Sequence, residues 1–209
     1  MWFSNIIKSI AELGKKYYIK DKYIRNKFHK GFKRKSPPNT IIIHGTGGTG
    51  TYKWMKKGER GNNYRKGISL FHYLIERDGR IINIIDPNRW VWHSHAGWYT
   101  DKNGKRIQRD ASTIGIELEN TSSKNLNDYT EEQYASLMIL LFNDLMIKYD
   151  IDIIMSHSRS YKKYLKKTKP LACPGPKFKW NKLINQLKAN NYSYNDKTKE
   201  SFWGIKNKI

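Results

Sequence analysis

Six histidines and one cysteine are available in this 209-residue chain for metal-ligating chemistry: His29, His44, His72, His93, His95, His157 and Cys173. Two of the histidines share a setting. His44 closes the β-branched run "TIIIH", and His157 comes just after the run "IDIIM". Side chains at strand ends in a mixed sheet converge on a cleft. Cys173 follows in a lysine-rich stretch, at the head of "CPGP". Two imidazoles and a thiolate suit zinc and leave a fourth position open. The ligand is the thiolate, which neighbouring lysines are expected to favour. Spacing alone leaves a second reading open. No CxxC or HExxH fixes the geometry, and the same residues also read as structural histidines and a buried free thiol.

The elements that would position these residues are legible from pattern. "TIIIH" (40–44), "ISLFHYLIE" (68–76), "STIGIELE" (112–119) and "IDIIM" (151–155) read as strands. "RDGR" (77–80) places Asp-Gly at the centre of a turn, with "IINII" (81–85) returning as a hairpin. A helix is expected over 131–148. Thr130 and Gln133 fit a capping box, and Tyr134, Leu137, Met138, Leu141, Phe142, Leu145 and Met146 recur at helical spacing. A second helix is expected over 179–190. Strands alternating with helices imply an α/β fold with a mixed sheet. Residues 1–37 read as a basic helical arm, 38–190 as the main domain and 191–209 as a basic tail. That tail is ordered only if Phe202, Trp203 and Ile205 dock.

Net charge is +22, and it is concentrated at the ends. Residues 1–40 hold eleven Lys/Arg against two acids, and residues 161–209 hold thirteen against two. The stretch between is near neutral. Such flanks suit a polyanion, and they also read as a solvated lysine-rich surface. A single cysteine excludes an intramolecular disulfide. No signal peptide is read in "MWFSNIIKSIAELGKKYYIK", because Lys8 and Glu12 interrupt its apolar residues and no cleavage site follows. Ile6, Ile7, Ile10 and Leu13 give it an amphipathic helical face instead. "GTGGTG" (45–50) lacks the ending of a phosphate loop and reads as the rim of a cleft. No nucleic-acid-reading motif accompanies the charge.

The order of five stretches is more specific than any one of them. "IIIHGTGG", "FHYLIERDGRI", "WHSHAG", "STIGIELEN" and "HSRSYKKYLKKTKPLACPGPKF" together resemble the zinc-dependent N-acetylmuramoyl-L-alanine amidases. That is the type 2 amidase and peptidoglycan-recognition family, which includes phage endolysins. The resemblance spans roughly residues 38–185. It implies a mixed sheet flanked by helices, and Zn2+ held by His44, His157 and Cys173. It implies hydrolysis of the amide between N-acetylmuramic acid and L-alanine of peptidoglycan.

Amide hydrolysis needs a base for the attacking water and an acid for the leaving amine. The resemblance assigns this to Glu117. Glu119 lies two residues on, on the same side of a strand, so spacing does not separate the two. His95, in "HAG", is expected to line the substrate cleft, with Trp92 and Trp98 as sugar-stacking candidates. His93 is a neighbour able to substitute for His95, or a surface-loop residue. The sequence departs from the family at two points. Phe71 stands where other members have a proton-transferring tyrosine, which favours the glutamate mechanism. Leu171 stands where many members have an oxyanion-stabilising lysine, which leaves either Lys169, two residues earlier, or the zinc alone to fill that role. The expected partner is peptidoglycan, with an anionic envelope polymer or membrane surface held by the flanks, no specific nucleic acid, and a monomeric state. Without a signal peptide, the expected setting is an endolysin held in the host cytoplasm before release to the wall. The alternative is a non-catalytic peptidoglycan-binding module of the same fold.

Overall fold

The computed structural model describes residues 18–20, 31–57, 70–94, 98–100, 106–121, 129–160, 173–198 and 201–207. At its centre is the strand β3 (Thr40–Gly45). Ile41, Ile42 and Ile43 are all fully buried, as a strand covered on both faces must be. β3 is flanked by β9 (Thr113–Leu118) and β10 (Ile153–Ser156), both parallel to it. β4 (Tyr73–Ile75) pairs in parallel with β9, and β5 (Ile81–Asn83) returns antiparallel to β4 across the expected hairpin. With β1 (Tyr18–Lys20), β11 (Tyr192–Thr198) and β12 (Ser201–Asn207), the full order is β1-β5-β4-β9-β3-β10-β12-β11, eight strands in one mixed sheet.

Side-chain alternation gives the sheet two different faces. Ile41, Ile43, Ile114, Ile116, Leu118, Tyr73 and Ile75 join a core with the helices α2 (Glu131–Leu140) and α3 (Trp180–Ala189). The other face carries Leu74 and Ile82, covered by Met55 of α1 (Thr51–Lys57) together with Leu70, Phe71, Ile84, Ile85 and Val91. The in-between residues of β3 and β9, His44 and Glu117, therefore leave the helix-covered face.

α2 starts as its sequence implies. Gln133 N–H donates to Thr130 Oγ1 at 3.1 Å, and Thr130 N–H to Gln133 Oε1 at 3.0 Å. Past Leu140 the helix widens into a π turn (Leu141–Leu145) before a last turn at Met146–Lys148. The expected stripe is kept: Tyr134, Leu137, Leu141 and Leu145 are buried, while Met138, Phe142 and Met146 pack against the core from its edge.

The described residues of both flanks add strands to the fold. Within the arm read as helical, the described residues form strands: β1 (Tyr18–Lys20) pairs in parallel with β5, and β2 (Phe32–Lys33) pairs with β6 (Arg89–Trp90). The physical reason is edge pairing plus aromatic contact, with Phe32 stacked on Trp90 at 4.4 Å between centroids. At the C-terminal side, β11 (Tyr192–Thr198) and β12 (Ser201–Asn207) pair antiparallel, and β12 also pairs antiparallel with β10, so the condition for order of this stretch is met. Phe202 and Ile205 dock into the main core. A second small hairpin joins β7 (Trp98–Thr100) and β8 (Arg106–Gln108). Among the described residues, no helix is long and apolar enough to cross a membrane.

Candidate active site

Register builds the site. In the β3/β9 pairing His44 sits directly beside Glu117, and in the β3/β10 pairing Ile43 sits beside Ser156. Residue 157 opens a helical turn immediately after β10, so His157 emerges next to His44. The two rings lie 4.4 Å apart between centroids. Cys173 arrives from the far side of the sequence and is fastened at three points. Gly45 N–H donates to its Sγ at 3.3 Å. Ser158 N–H donates to its carbonyl at 3.0 Å. Tyr129 Oη–H donates to the carbonyl of Pro174 at 2.6 Å. Gly45 is obligatory in this packing, since a Cβ there would lie 2.3 Å from Tyr129 Oη.

Ligand atoms of His44, His157 and Cys173 all lie within 4.8 Å of one another. A tetrahedral zinc with bonds of about 2.0–2.3 Å spaces its ligand atoms roughly 3.3–3.8 Å apart, so the three would hold such an ion once the widest pair closes by about 1.0–1.5 Å. Their chemistry fits as well. The Cys173 thiol is pushed up to about 12, by burial and then by the charge of Glu117, with the Gly45 N–H opposing. A buried thiol beside a carboxylate ionises only with a cation to balance it. The lysines that precede Cys173 in its stretch, Lys162 to Lys169, lie outside the described residues.

The two glutamates separate cleanly. Glu117 Oε1 stands 3.9 Å from His44 Nδ1, with its side chain 16% exposed. Glu119 is turned away and employed. Its Oε1 accepts from the N–H groups of Gly50 and Thr51 at the start of α1, and Oε2 accepts from Arg77 N–H at 3.4 Å. Of the two carboxylates, only Glu117 stands beside the His44–His157–Cys173 cluster.

Of the four remaining histidines, His29 lies outside the described residues. His72 is fully buried and held neutral, its pKa lowered well below the usual value by burial and then by Arg34. Its Nδ1 accepts from Gly115 N–H at 2.9 Å, so Nε2 carries the proton and donates to Arg89 O at 3.0 Å. His93 is not a surface-loop residue. It is 6% exposed and its Nδ1 lies 3.0 Å from His44 Nε2. His95 lies outside the described residues, as do Lys169 and Leu171. Trp92 is half-buried, edge-on to Trp90 at 5.4 Å; Trp98 is described only as part of β7. Phe71 is buried in the second core, away from any proton-transfer role.

Two residues central to this arrangement carried no signal of their own in the sequence. Asp110 is fully buried and accepts from Ser94 N–H at 3.2 Å and Ser94 Oγ–H at 2.5 Å. Tyr129 ties the Cys173 loop to the body of the fold. Neither belongs to a local motif, and only the folded register reveals them.

His44 and Glu117 thus stand at the ends of parallel strands, His157 just past a third, and Cys173 on a loop beside them. The family description "N-acetylmuramoyl-L-alanine amidase" matches residues 34–176, and the chain belongs to that family. Among solved structures, it is similar to the endolysin N-acetylmuramoyl-L-alanine amidase LysCS from Clostridium intestinale URNW, at TM-score 0.59 and 21% identity, covering 82% of this chain and 95% of that one. It is similar to the Ph2119 endolysin from the Thermus scotoductus bacteriophage Ph2119, at TM-score 0.52 and 15% identity, covering 81% and 97%. It is also similar to the E. coli amidase AmiD, solved with an anhydro-N-acetylmuramic acid peptide substrate, at TM-score 0.52 and 20% identity, covering 72% and 58%. These likenesses establish the fold. No curated protein matches the chain by sequence.

Proposed function

We propose that this protein is a zinc-dependent hydrolase that cleaves the amide joining N-acetylmuramic acid to L-alanine in peptidoglycan, acting as a cell-wall lysin. The observation that carries the reading is the His44–His157–Cys173 cluster with Glu117 Oε1 at 3.9 Å from His44 Nδ1. His44, His157 and Cys173 hold the ion. When bound, zinc supplies a Lewis acid for the scissile carbonyl and makes water at the site more acidic.

Glu117 takes a proton from the attacking water and returns one to the alanine nitrogen as the C–N bond breaks. The products are the lactyl carboxylic acid and a free amino terminus, so one water is consumed per bond. Its partial exposure lets the carboxylate face both water and substrate. Trp92, Trp98 and His95 line the sugar and peptide path, and Lys169 is the candidate for steadying negative charge on the carbonyl oxygen. The basic flanks hold the enzyme on an anionic envelope polymer or membrane surface. The protein acts as a monomer at the cell envelope, and its endolysin setting places it in the host cytoplasm before release.

The test is digestion of purified peptidoglycan, with mass spectrometry of the soluble products and labelling of new amino termini. Stem peptides beginning with free L-alanine, with glycan chains left intact, are expected. Shortened glycans, or peptides cut within the stem, would assign the protein to another bond. Binding without any release by the zinc-loaded protein would favour a recognition module.

A further inference from the structure

His44 and His157 each have two ring nitrogens, and only a bare one can bind a metal ion. The structure shows what selects it. His157 Nε2 lies 2.9 Å from the carbonyl oxygen of Ser94. A carbonyl only accepts, so Nε2 bears the proton and Nδ1 carries the lone pair. Ser94 is held in turn by Asp110, through both its N–H and its hydroxyl.

His44 is set through a longer chain. Its Nε2 faces His93 Nδ1 at 3.0 Å, and His93 Nε2 faces Thr113 Oγ1 at 2.7 Å and Asp110 Oδ1 at 3.5 Å. The Thr113 hydroxyl donates to Asp110 O at 3.3 Å, leaving its lone pairs to accept. The carboxylate of Asp110 also only accepts. The proton on His93 therefore sits on Nε2, its Nδ1 accepts, and His44 must donate from Nε2. Again Nδ1 is left bare, on the side of His44 where Glu117 stands.

We infer that Asp110 and His93 are positioning residues, which fix both histidines in the Nε2–H form and so present two Nδ1 lone pairs to the metal position. This rests on the zinc reading above. Both chains end on the short 3-10 turn Arg109–Ser112 that leads into β9. The turn is itself fastened by Arg34, whose buried guanidinium donates to the carbonyls of Ala111 at 2.5 Å and Thr113 at 2.6 Å. Gly115 completes the device: a Cβ there would fall 2.6 Å from the His93 ring. One buried anion thus stands behind two ligands, and partners of this kind typically alter metal affinity 10–100-fold when removed.

The experiment has two readouts on the same proteins. Ring-nitrogen NMR of the metal-free protein reports the tautomers of His44 and His157. Competition against a chromophoric chelator reports zinc affinity. The parent protein is expected to show Nε2–H on both rings. Thr113→Val, which keeps shape and strand propensity, is expected to loosen the His44 tautomer and weaken zinc about 10-fold. Asp110→Ala is expected to lose the His157 tautomer and weaken zinc by about 10–100-fold. Asp110→Asn, which keeps an acceptor for Ser94, is expected to restore that tautomer and most of the affinity. If Asp110→Ala does not fold, Thr113→Val carries the test alone. Nδ1–H on either ring of the parent protein overturns the inference, as does zinc affinity within twofold of the parent in every folded variant. A parent protein with the expected tautomers that binds no zinc would instead overturn the zinc reading.

Discussion

Glu117 and Glu119 occupy adjacent same-side positions in sequence, so exchanging each tests the account by contrast. Glu117→Gln keeps size and shape but cannot take a proton at neutral pH. Loss of a general base costs about 10²–10⁴-fold in rate, which is roughly 2.7–5.5 kcal/mol of barrier. Glu117 makes no helix cap, so its variant should melt within about 2 °C of the parent. Glu119→Ala should do the reverse. Its carboxylate accepts from Gly50, Thr51 and Arg77 and is 6% exposed. Hydrogen bonds to a charged group are worth about 1.5–3 kcal/mol each, less than additively. A net loss of about 3 kcal/mol corresponds to about 6–12 °C in a chain of this size. The assay is release of amino termini from peptidoglycan, paired with thermal unfolding of each variant. More than a tenth of parental activity in a folded Glu117→Gln protein would refute the reasoning. So would a Glu119→Ala protein that melts normally and is inactive.

Other outcomes follow from buried groups. His72 is held neutral in the fold but takes a proton below about pH 6.5 when unfolded. Its contribution is complete above that pH and is lost as pH falls towards the depressed folded value. Stability should therefore drop by about 1.4 kcal/mol per pH unit below 6, and His72→Gln should flatten that slope in denaturant titrations. Gly115→Ala should destabilise by about 1–3 kcal/mol, because the His93 ring has no room to yield; an unchanged melting temperature would contradict the packing. Tyr129→Phe should lose about 1 kcal/mol and weaken zinc binding, since the Cys173 loop loses one of its three ties; unchanged zinc affinity in a chelator competition would show that the tie does not matter.

The central strands were legible because their chemistry is local. Ile41–Ile43, "STIGIELE" and "IDIIM" are β-branched runs, and α2 announces itself by Thr130, Gln133 and a repeating apolar stripe. His44, His157 and Cys173 were legible only as an ordered set. What brings them together is the parallel register of β9, β3 and β10, which no spacing rule supplies. Glu117 and Glu119 could not be told apart by period, and were separated by the three N–H groups that Glu119 caps. The burial of His93 is not legible because a histidine in a loop carries no sign of it; Gly115, on another strand, makes its space. The strands of the flanks are not legible for a related reason. β1 and β2 are three and two residues long, and β11 is a polar edge strand, so pairing partners rather than alternation decide their state; β12 lies inside the sheet and is held by Phe202 and Ile205 in the core.

The most direct test is activity as a function of zinc content. Protein stripped by a chelator should release no alanine amino termini from peptidoglycan. Activity should return in proportion to added zinc and level off at one ion per chain, and Cys173→Ala should fail to recover. Full release by the stripped protein, or by a Cys173→Ala protein that binds no zinc, would contradict the account.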